Sequence, residues 1–497
     1  MGIVDWLAKR NGYVKPRPRR RGYAAAKQDR LLAGWLTGNT SANEEARQSN
    51  KILRARSRQL ERDDDYAKRY MHLMHVNVVG AEGILMQNKA TLRTDPRRFD
   101  NRVNDIIEQA WQRWGTNRTA SLEGDAMWAD MQGMFVRTLA RDGEVFVRYI
   151  DAPVNDYGLA LQFLEADHFD EDRNETLRGG NVIVMSVELD ATGKPVAYWL
   201  TQSHPGDTRA TARTRFRRLP AEIILHAYIK DRPGQVRGVP WMHAAMVRMH
   251  HLARYERAEL VAANVAASKM GFFKTPTGEE YVGDDTDADG NKITEAEPGT
   301  FEELPIGQDF VPWDPTHPAG NYEPFTKQQL RGVASGLGVS YSSLTGDLTD
   351  VNYSSIRAGT LEQRDMYKVF QQFTIRHFCQ PVFRRWVRNS IMTGALPFNL
   401  TDMERLARPD WMVRGWEWVD PLKDTTASIQ AVQQGLSTRT RELSKQGRDY
   451  EETLKELQRE QALASEYGVT FGGTATKPAS DSQNEKDEDD GNTDGNT

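Results

Sequence analysis

One cysteine, Cys379, stands in 497 residues. It allows no internal disulfide and no cysteine-based zinc site, and the chain reads as one made and kept in a reducing cytoplasm. No run approaches the roughly 18 consecutive apolar residues of a spanning helix. The opening stretch MGIVDWLAKRNGYVKPRPRRRGY is too weakly apolar for a signal peptide, and Trp6 occupies the place where a myristoylation motif needs Ser or Thr. A phosphate loop is also missing. DATGKP (190–195) holds Gly193-Lys194 but lacks the leading Gly, and Pro195 stands where Ser or Thr is required. The ten histidines form no H-E-x-x-H. His72 with His75, and His250 with His251, are better read as solvated or core residues than as metal ligands. GVSYSS (338–343) lacks the second Gly of a nucleophile elbow. No two carboxylates can be placed as acid and base from spacing alone. These absences leave a non-enzymatic structural or interaction protein with no cofactor, one that could touch nucleic acid.

What is present fits a soluble globular chain of about three domains. Hydrophobic residues make up 38% and charged residues 27%, which argues against a wholly disordered chain. Net charge is −5, but the ends are polarised. Residues 1–22 hold seven Lys/Arg against one Asp, whereas 479–497 hold seven Asp/Glu against one Lys. The basic arm either contacts nucleic acid or an acidic partner, or is only solvated. The acidic tail DSQNEKDEDDGNTDGNT has too little apolar surface to fold.

The hydrophobic period divides the rest. Leu53, Leu60, Ala67, Tyr70, Met74 and Val78 recur at helical spacing and predict one helix over 41–79, ended by Gly80. Further helices are predicted over 99–114 and 121–141. The period then falls to two. EVFVRYI (144–150), LALQFLE (159–165), VIVMSVEL (182–189), PVAYWLTQ (195–202) and EIILHAYI (222–229) read as strands of a mainly antiparallel region. Helix blocks followed by a strand block give an α+β fold. Residues 240–268 return to helix with Pro240 at its first position. Residues 269–325 are an insert rich in Pro, Gly and acids, with short strand-like pieces GFFKT and DFVPW. A helix begins near Thr326 and ends by Gly336 or Gly338. A loop-like stretch, 339–355, precedes a long helix over 354–393, which Pro381 should kink or interrupt. A last helical block covers 424–466.

The insert contains DDTDADGNKITE (284–295). Asp285, Asp287, Asp289 and Gly290 take places 1, 3, 5 and 6 of a calcium loop. Place 12, which needs a bidentate carboxylate, is Ala296, and the apolar residue comes one place late at Ile293. The run is therefore read as an exposed acidic turn with no metal.

Several stretches resemble one family, the lambda-type portal proteins of tailed bacteriophages. RARSRQLERDDDYAKRYMHLMHVNVVG (54–80) is similar to that family's opening helix. RDGEVFVRY (141–149), VELDATGKPVAYWL (187–200) and HPGD (204–207) resemble its β segment. The most specific match is LPAEIILHAYIKDRPGQVRGVPWM (219–242), followed by GLGVSYSSLTGDLTDVNYSSIRAG (336–359) and WEWVDPLKD (416–424).

The resemblance implies a portal-type fold and a homo-oligomeric ring, typically of twelve subunits, at one capsid vertex of the virion. It also implies assembly in the host cytoplasm with major capsid and scaffold proteins, and docking of the terminase large subunit and a head-tail connector. Double-stranded DNA would pass through the channel for packaging and ejection, and no membrane is involved. On that pattern 1–49 is a basic arm, 50–239 wing, 240–268 a first stem helix, 269–325 clip and 326–338 a second stem helix. Residues 339–395 are channel loop and long wing helix, 396–470 C-terminal wing and crown, and 471–497 an acidic tail. Ser340, Ser342, Ser343, Asp347, Asp350, Asn352, Ser354 and Ser355 become channel-loop candidates, with a turn that caps the following helix as the plainer reading. Asp284, Asp285, Asp287 and Asp289 become an acidic docking loop on the clip. Trp241, Trp386 and Trp411 are candidate interface aromatics. The competing readings are a metal-dependent hydrolase using the 284–297 carboxylates and a non-portal DNA-binding protein working through 9–21.

Overall fold

The computed structural model describes Arg30, Gly34 and residues 37–207, 216–267, 271–274, 285–286, 292–293, 309–312, 320–349, 353–416, 421–444 and 450–469. For 265–267, 271–274, 285–286, 292–293, 309–312, 353–355, 421–423 and 452 it describes the backbone alone. No described helix is long and apolar enough to cross a membrane.

Two helices open the fold, α1 (Ala42–Asp63) and α2 (Asp65–Val78). One continuous helix was expected here. The chain breaks at Asp64, whose backbone is extended and whose carboxylate accepts from the Ala67 N–H as the cap of α2. A short strand β1 (Leu85–Asn88) leads to α3 (Asn101–Thr116), which Asp100 caps through the Val103 N–H. Helix α4 (Trp128–Asp142) starts seven residues later than the pattern suggests, because Leu122 donates its N–H to Leu161 of a neighbouring strand.

These helices close around aromatic rings. Trp111 lies 4.8 Å from Trp114, 5.3 Å from Trp128 and 5.1 Å from Trp386, and Phe135 stacks on Phe378 at 4.5 Å. Offset and edge-on pairs of this kind add about 0.5–1.5 kcal/mol each beyond their buried area. Trp386 is fully buried among them, so it is core and not an interface residue. Trp411 packs on Trp111 and donates to Gln380, and Trp241 stacks on Phe370 at 4.4 Å.

The strand block makes two antiparallel sheets. The three-stranded sheet has the order β3 (Ala160–Leu164), β2 (Glu144–Ile150), β9 (Ile224–Tyr228). The five-stranded sheet runs in sequence order through β4 (Glu175–Thr176), β5 (Val182–Val184), β6 (Val187–Leu189), β7 (Pro195–Thr201) and β8 (Phe216–Pro220). Strand β2 carries Val145 and Val147 into the helical core and Phe146 into the second core under the five-stranded sheet. One strand therefore belongs to both cores, as its period of two allows. The run 182–189 is not one strand. It turns back at Met185 and Ser186, which have φ of 47° and 68°.

Later come α5 (His243–Ala267), α6 (Tyr322–Leu337), α7 (Tyr341–Thr345), α8 (Tyr353–Thr374) and α9 (Gln380–Met392). Helix α5 begins three residues after Pro240, whose carbonyl accepts from the His243 N–H. Pro381 neither breaks nor ends the α8–α9 run. A π-helical segment, Ile375–Cys379, stands just before it, and the Gln380 N–H bonds to the Ile375 carbonyl five residues back. One extra residue per turn is how a helix commonly absorbs a local misfit. Strand β14 (Pro409–Met412) pairs with β1, and α11 (Pro421–Gln433), α12 (Arg439–Ser444) and α13 (Tyr450–Glu466) follow the short α10 (Met403–Leu406).

A buried ion cluster joins helices to sheets. Glu144, at the start of β2, is fully buried. Arg237 holds its carboxylate with Nε at 2.8 and 2.9 Å and Nη2 at 2.6 Å. The Gly238 N–H donates to it at 3.1 Å, and His226 Nε2 lies 3.1 Å away. Arg237 also donates to the carbonyls of Phe169 and Met185 at 3.0 and 2.9 Å, which fastens the left-handed 185–186 turn. Arg54 of α1 pairs with Glu171 and, at 2.9 Å, with Asp167. Arg58 binds Asp142 at 3.0 Å. Burial opposes ionisation of Glu144, but Arg237 and the surrounding donors outweigh it and hold the carboxyl far below its ordinary value. Burial pushes the His226 imidazole below its ordinary value despite Glu144 beside it.

The backbone at the cluster has no room for side chains. A Cβ on Gly143 (φ 84°) would collide with the Val239 carbonyl, and one on Gly238 with the Gly143 carbonyl. Removing one partner of a buried pair strands the other charge, at about 3–5 kcal/mol. Arg237→Met should therefore lose about 3–5 kcal/mol in chemical denaturation. A change below about 1 kcal/mol, the range of an exposed pair, would show that the cluster is not structural.

Candidate functional site

Helices α5 and α6 flank the insert. Strand β10 (Gly271–Lys274) leaves α5 and pairs antiparallel with β13 (Asp309–Pro312), which leads toward α6. The strand-like pieces GFFKT and DFVPW thus meet each other, Gly271 opposite Pro312 and Lys274 opposite Asp309. The two strands thus bring the two ends of the insert together.

The α5–α6 seam is close because its residues are small. Gly336 faces Ala245, where an added Cβ would stand 3.3 Å away, and Arg248 lies across Gly332. Met242, Met246 and Met249 are buried with Val333, Ala334 and Leu337. Toward the insert, Tyr255 stacks on Tyr322 at 5.9 Å and meets Phe325 edge-on at 5.1 Å.

The serine-rich segment begins where α6 stops at Gly338 (φ 70°). Ser340 caps α7, accepting from the Ser343 N–H. Gln363 Oε1, on α8, accepts from the hydroxyls of Ser340 and Ser343 at 2.9 and 2.8 Å, and its amide donates to the Tyr367 hydroxyl at 2.7 Å. Ser342 Oγ lies 3.4 Å from Ser340 Oγ. Leu344 is buried beneath, and Arg69 of α2 donates to the Ser343 carbonyl at 3.2 Å.

Asp347 accepts from the Thr349 hydroxyl and N–H at 2.6 and 2.9 Å and from the Tyr341 hydroxyl at 2.8 Å. Those bonds, the Thr349 hydroxyl first, hold its carboxyl well below the usual range. Ser340 thus caps the short α7 within the segment and Asp347 holds a turn, while the residues that would cap α8 lie outside the described ones. The structure brings Ser340, Ser342, Ser343 and Asp347 together. Asp350 and Asn352 lie outside the described residues. Ser354 and Ser355 are in the first turn of α8, with only their backbone described.

Of the acidic loop, Asp285 is described by its backbone alone. Asp285 and Thr286 (β11) pair with Ile293 and Lys292 (β12) as antiparallel strands. A calcium loop of this length instead joins two helices. Asp284, Asp287 and Asp289 lie outside the described residues.

Among the described residues one trio, Glu165, Asp167 and His204, has the spacing to hold a metal ion. Arg58 Nη1 already lies 3.3 Å from Glu165 and 2.6 Å from Asp167, so a guanidinium supplies the counter-charge there. Sequence reasoning missed the Glu144–Arg237 cluster entirely. Its residues do sit in RDGEVFVRY and RGVPWM, two stretches singled out for other reasons.

Loss of the Gln363 carbonyl would leave two serine hydroxyls competing for one another. Ser340→Ala should cost about 1 kcal/mol through the lost cap. Gln363→Leu should loosen 339–349, read as faster amide hydrogen exchange at Leu344 and Gly346. Unchanged exchange in Gln363→Leu would mean that Leu344 alone pins the segment.

A family model described as "Phage portal protein, lambda family" matches residues 28–371. The "Probable portal protein" of Halomonas phage phiHAP-1 is 36% identical over 448 residues, spanning 88% of this chain and 85% of that protein. "Portal protein B" of Escherichia phage lambda is 24% identical over 312 residues, spanning 55% and 57%. A chain from the neck of an empty GTA particle, a structure with C6 symmetry, aligns over 79% of this chain and 92% of its own, with 14% identity and a TM-score of 0.43.

Proposed function

The chain belongs to the lambda family of phage portal proteins, and from that premise we propose that it assembles into a twelve-membered ring at one capsid vertex. Double-stranded DNA is packaged and ejected through the ring. The terminase large subunit and a head-tail connector dock on it in turn, and major capsid and scaffold proteins surround it. The chain is made in the host cytoplasm and ends in the virion. The observation that carries this reading is the 36% identity spread over 88% of the chain.

The architecture supports a division of labour. Residues 50–239 and the α8–α9 run form the wing. Helices α5 and α6 are the paired stem helices, the insert between them is the clip, and the last helices form the crown. A stem built of helices packed side by side needs close approach, which Ala245, Gly332 and Gly336 allow at the α5–α6 seam. The 339–355 segment then stands near the channel. Ser340, Ser342, Ser343, Asp347, Asp350, Asn352, Ser354 and Ser355 give it hydroxyls, an amide and carboxylates but no Lys or Arg. Each Lys or Arg on a phosphate adds affinity through counterion release, so a conduit works better without them.

Negative-stain images of the purified chain should show annular particles. A stable monomer under all assembly conditions would contradict the ring. The acidic loop supplies a collar of negative charge that selects a basic surface on motor or connector. Changing Asp284, Asp285, Asp287 and Asp289 together to Asn should weaken that docking at low salt and leave rings intact. Unchanged docking would reject the collar.

A further inference from the structure

Helix α5 separates two surfaces of opposite charge. Its inner side buries Met242, Met246, Met249 and Leu252. Its outer side leaves Val247 63% and Val261 55% exposed, about 21 Å apart along the helix. The same outer side carries Arg254 and Arg257, both exposed, with no carboxylate partner among the described residues. His250 and His251 stand beside them.

The other surface lies where α5 passes the α1–α2 joint. Asp65 there is exposed, and Asp64 and Glu256 are half-buried. No Lys or Arg pairs with Asp65 or Glu256 among the described residues. Burial, and after it the charges of Asp64 and Asp65, raise the Glu256 carboxyl above its ordinary value. Burial likewise raises Asp64. Carboxylates crowded together and partly removed from water, without a cation, are costly unless something external neutralises them.

A closed ring repeats one heterologous contact, so each subunit must carry both halves of it on different surfaces. We propose that the outer face of α5, with Arg254, Arg257, Val247 and Val261, docks on the Asp65–Glu256 surface of the next copy of this chain. This rests on the ring reading above. It assigns the partner as a second copy because the charges match, with two arginines on one surface and two carboxylates on the other that have no opposite charge among the described residues. A phosphate backbone would have no use for Val247 and Val261.

The test is charge exchange in the full chain, with ring content measured by mass photometry and folding checked by thermal melting. Arg254→Glu with Arg257→Glu should lower the ring fraction by about tenfold or more, the scale set by close charge pairs across an interface. Asp65→Lys with Glu256→Lys should do the same. The chain carrying all four changes should regain rings. Full ring content in either pair, or no recovery in the fourfold variant while its melting is normal, overturns the pairing. Intact rings that no longer retain DNA in the arginine variant would make this face a DNA contact and also overturn it. If the unmodified chain forms no rings, the ring reading itself fails. If it does and the variants match it, only this interface fails.

Discussion

A carboxylate with no access to water must find its solvation in the protein, and Glu144 is that carboxylate. Arg237, His226 and the Gly238 N–H surround it. Each of those partners brings a distant piece of chain. Arg237 brings the loop that enters α5 and, through the Met185 carbonyl, the turn of the five-stranded sheet. His226 brings β9. Around the same point, Arg54 and Arg58 bring α1, and Asn50 donates to the Gly238 carbonyl at 2.7 Å. Such a cluster is weak evidence for net stability, but displacing any one partner strands a buried charge. Gly143 and Gly238 complete it, since only glycine lets the two backbones approach so closely.

The cluster sits just before the start of α5. Trp241, four residues past Arg237, donates its N–H to the Ala140 carbonyl of α4 and stacks on Phe370 of α8. The helix pair thus leaves a base held by ion pairs on one side and aromatic packing on the other. In the ring proposed above, load would travel from the narrow end to the body, and a rigid root suits that role. Membership of a family of portal proteins also agrees with the reading of a chain that is not an enzyme.

Much of this fold was legible in the sequence because apolar residues repeat with clear periods. EVFVRYI is the strand Glu144–Ile150, and the two short pieces flanking the insert are its paired base. The misses have separate physical causes. The helix over α1 was expected, but not its break at Asp64, nor that Asn50, Arg54 and Ser57 hold it, a buried polar stripe that apolar spacing does not show. Met185 and Ser186 form a left-handed turn without glycine, so nothing local announces it. Pro381 predicts a misfit but not its remedy, since a π-helical segment depends on what packs around it. The tryptophans offered for an interface are used inside the subunit, Trp386 completely. Of the candidate site, a polar turn over 339–349 could be read from the sequence, but the helix that Ser340 caps is the short α7 and not the long one expected. The reach of Gln363 across from α8 could not, because it is set by tertiary packing.

The central proposal is that α5 and α6 are the narrow, DNA-lining part of a ring, rooted on the Glu144–Arg237 cluster. A cryo-electron-microscopy map of the assembled particle that resolves helices tests it most directly. The account predicts neighbouring α5–α6 pairs side by side around the constriction, with 339–349 at the inner wall. Helix pairs found at the outer rim, with the sheets lining the passage, would contradict it.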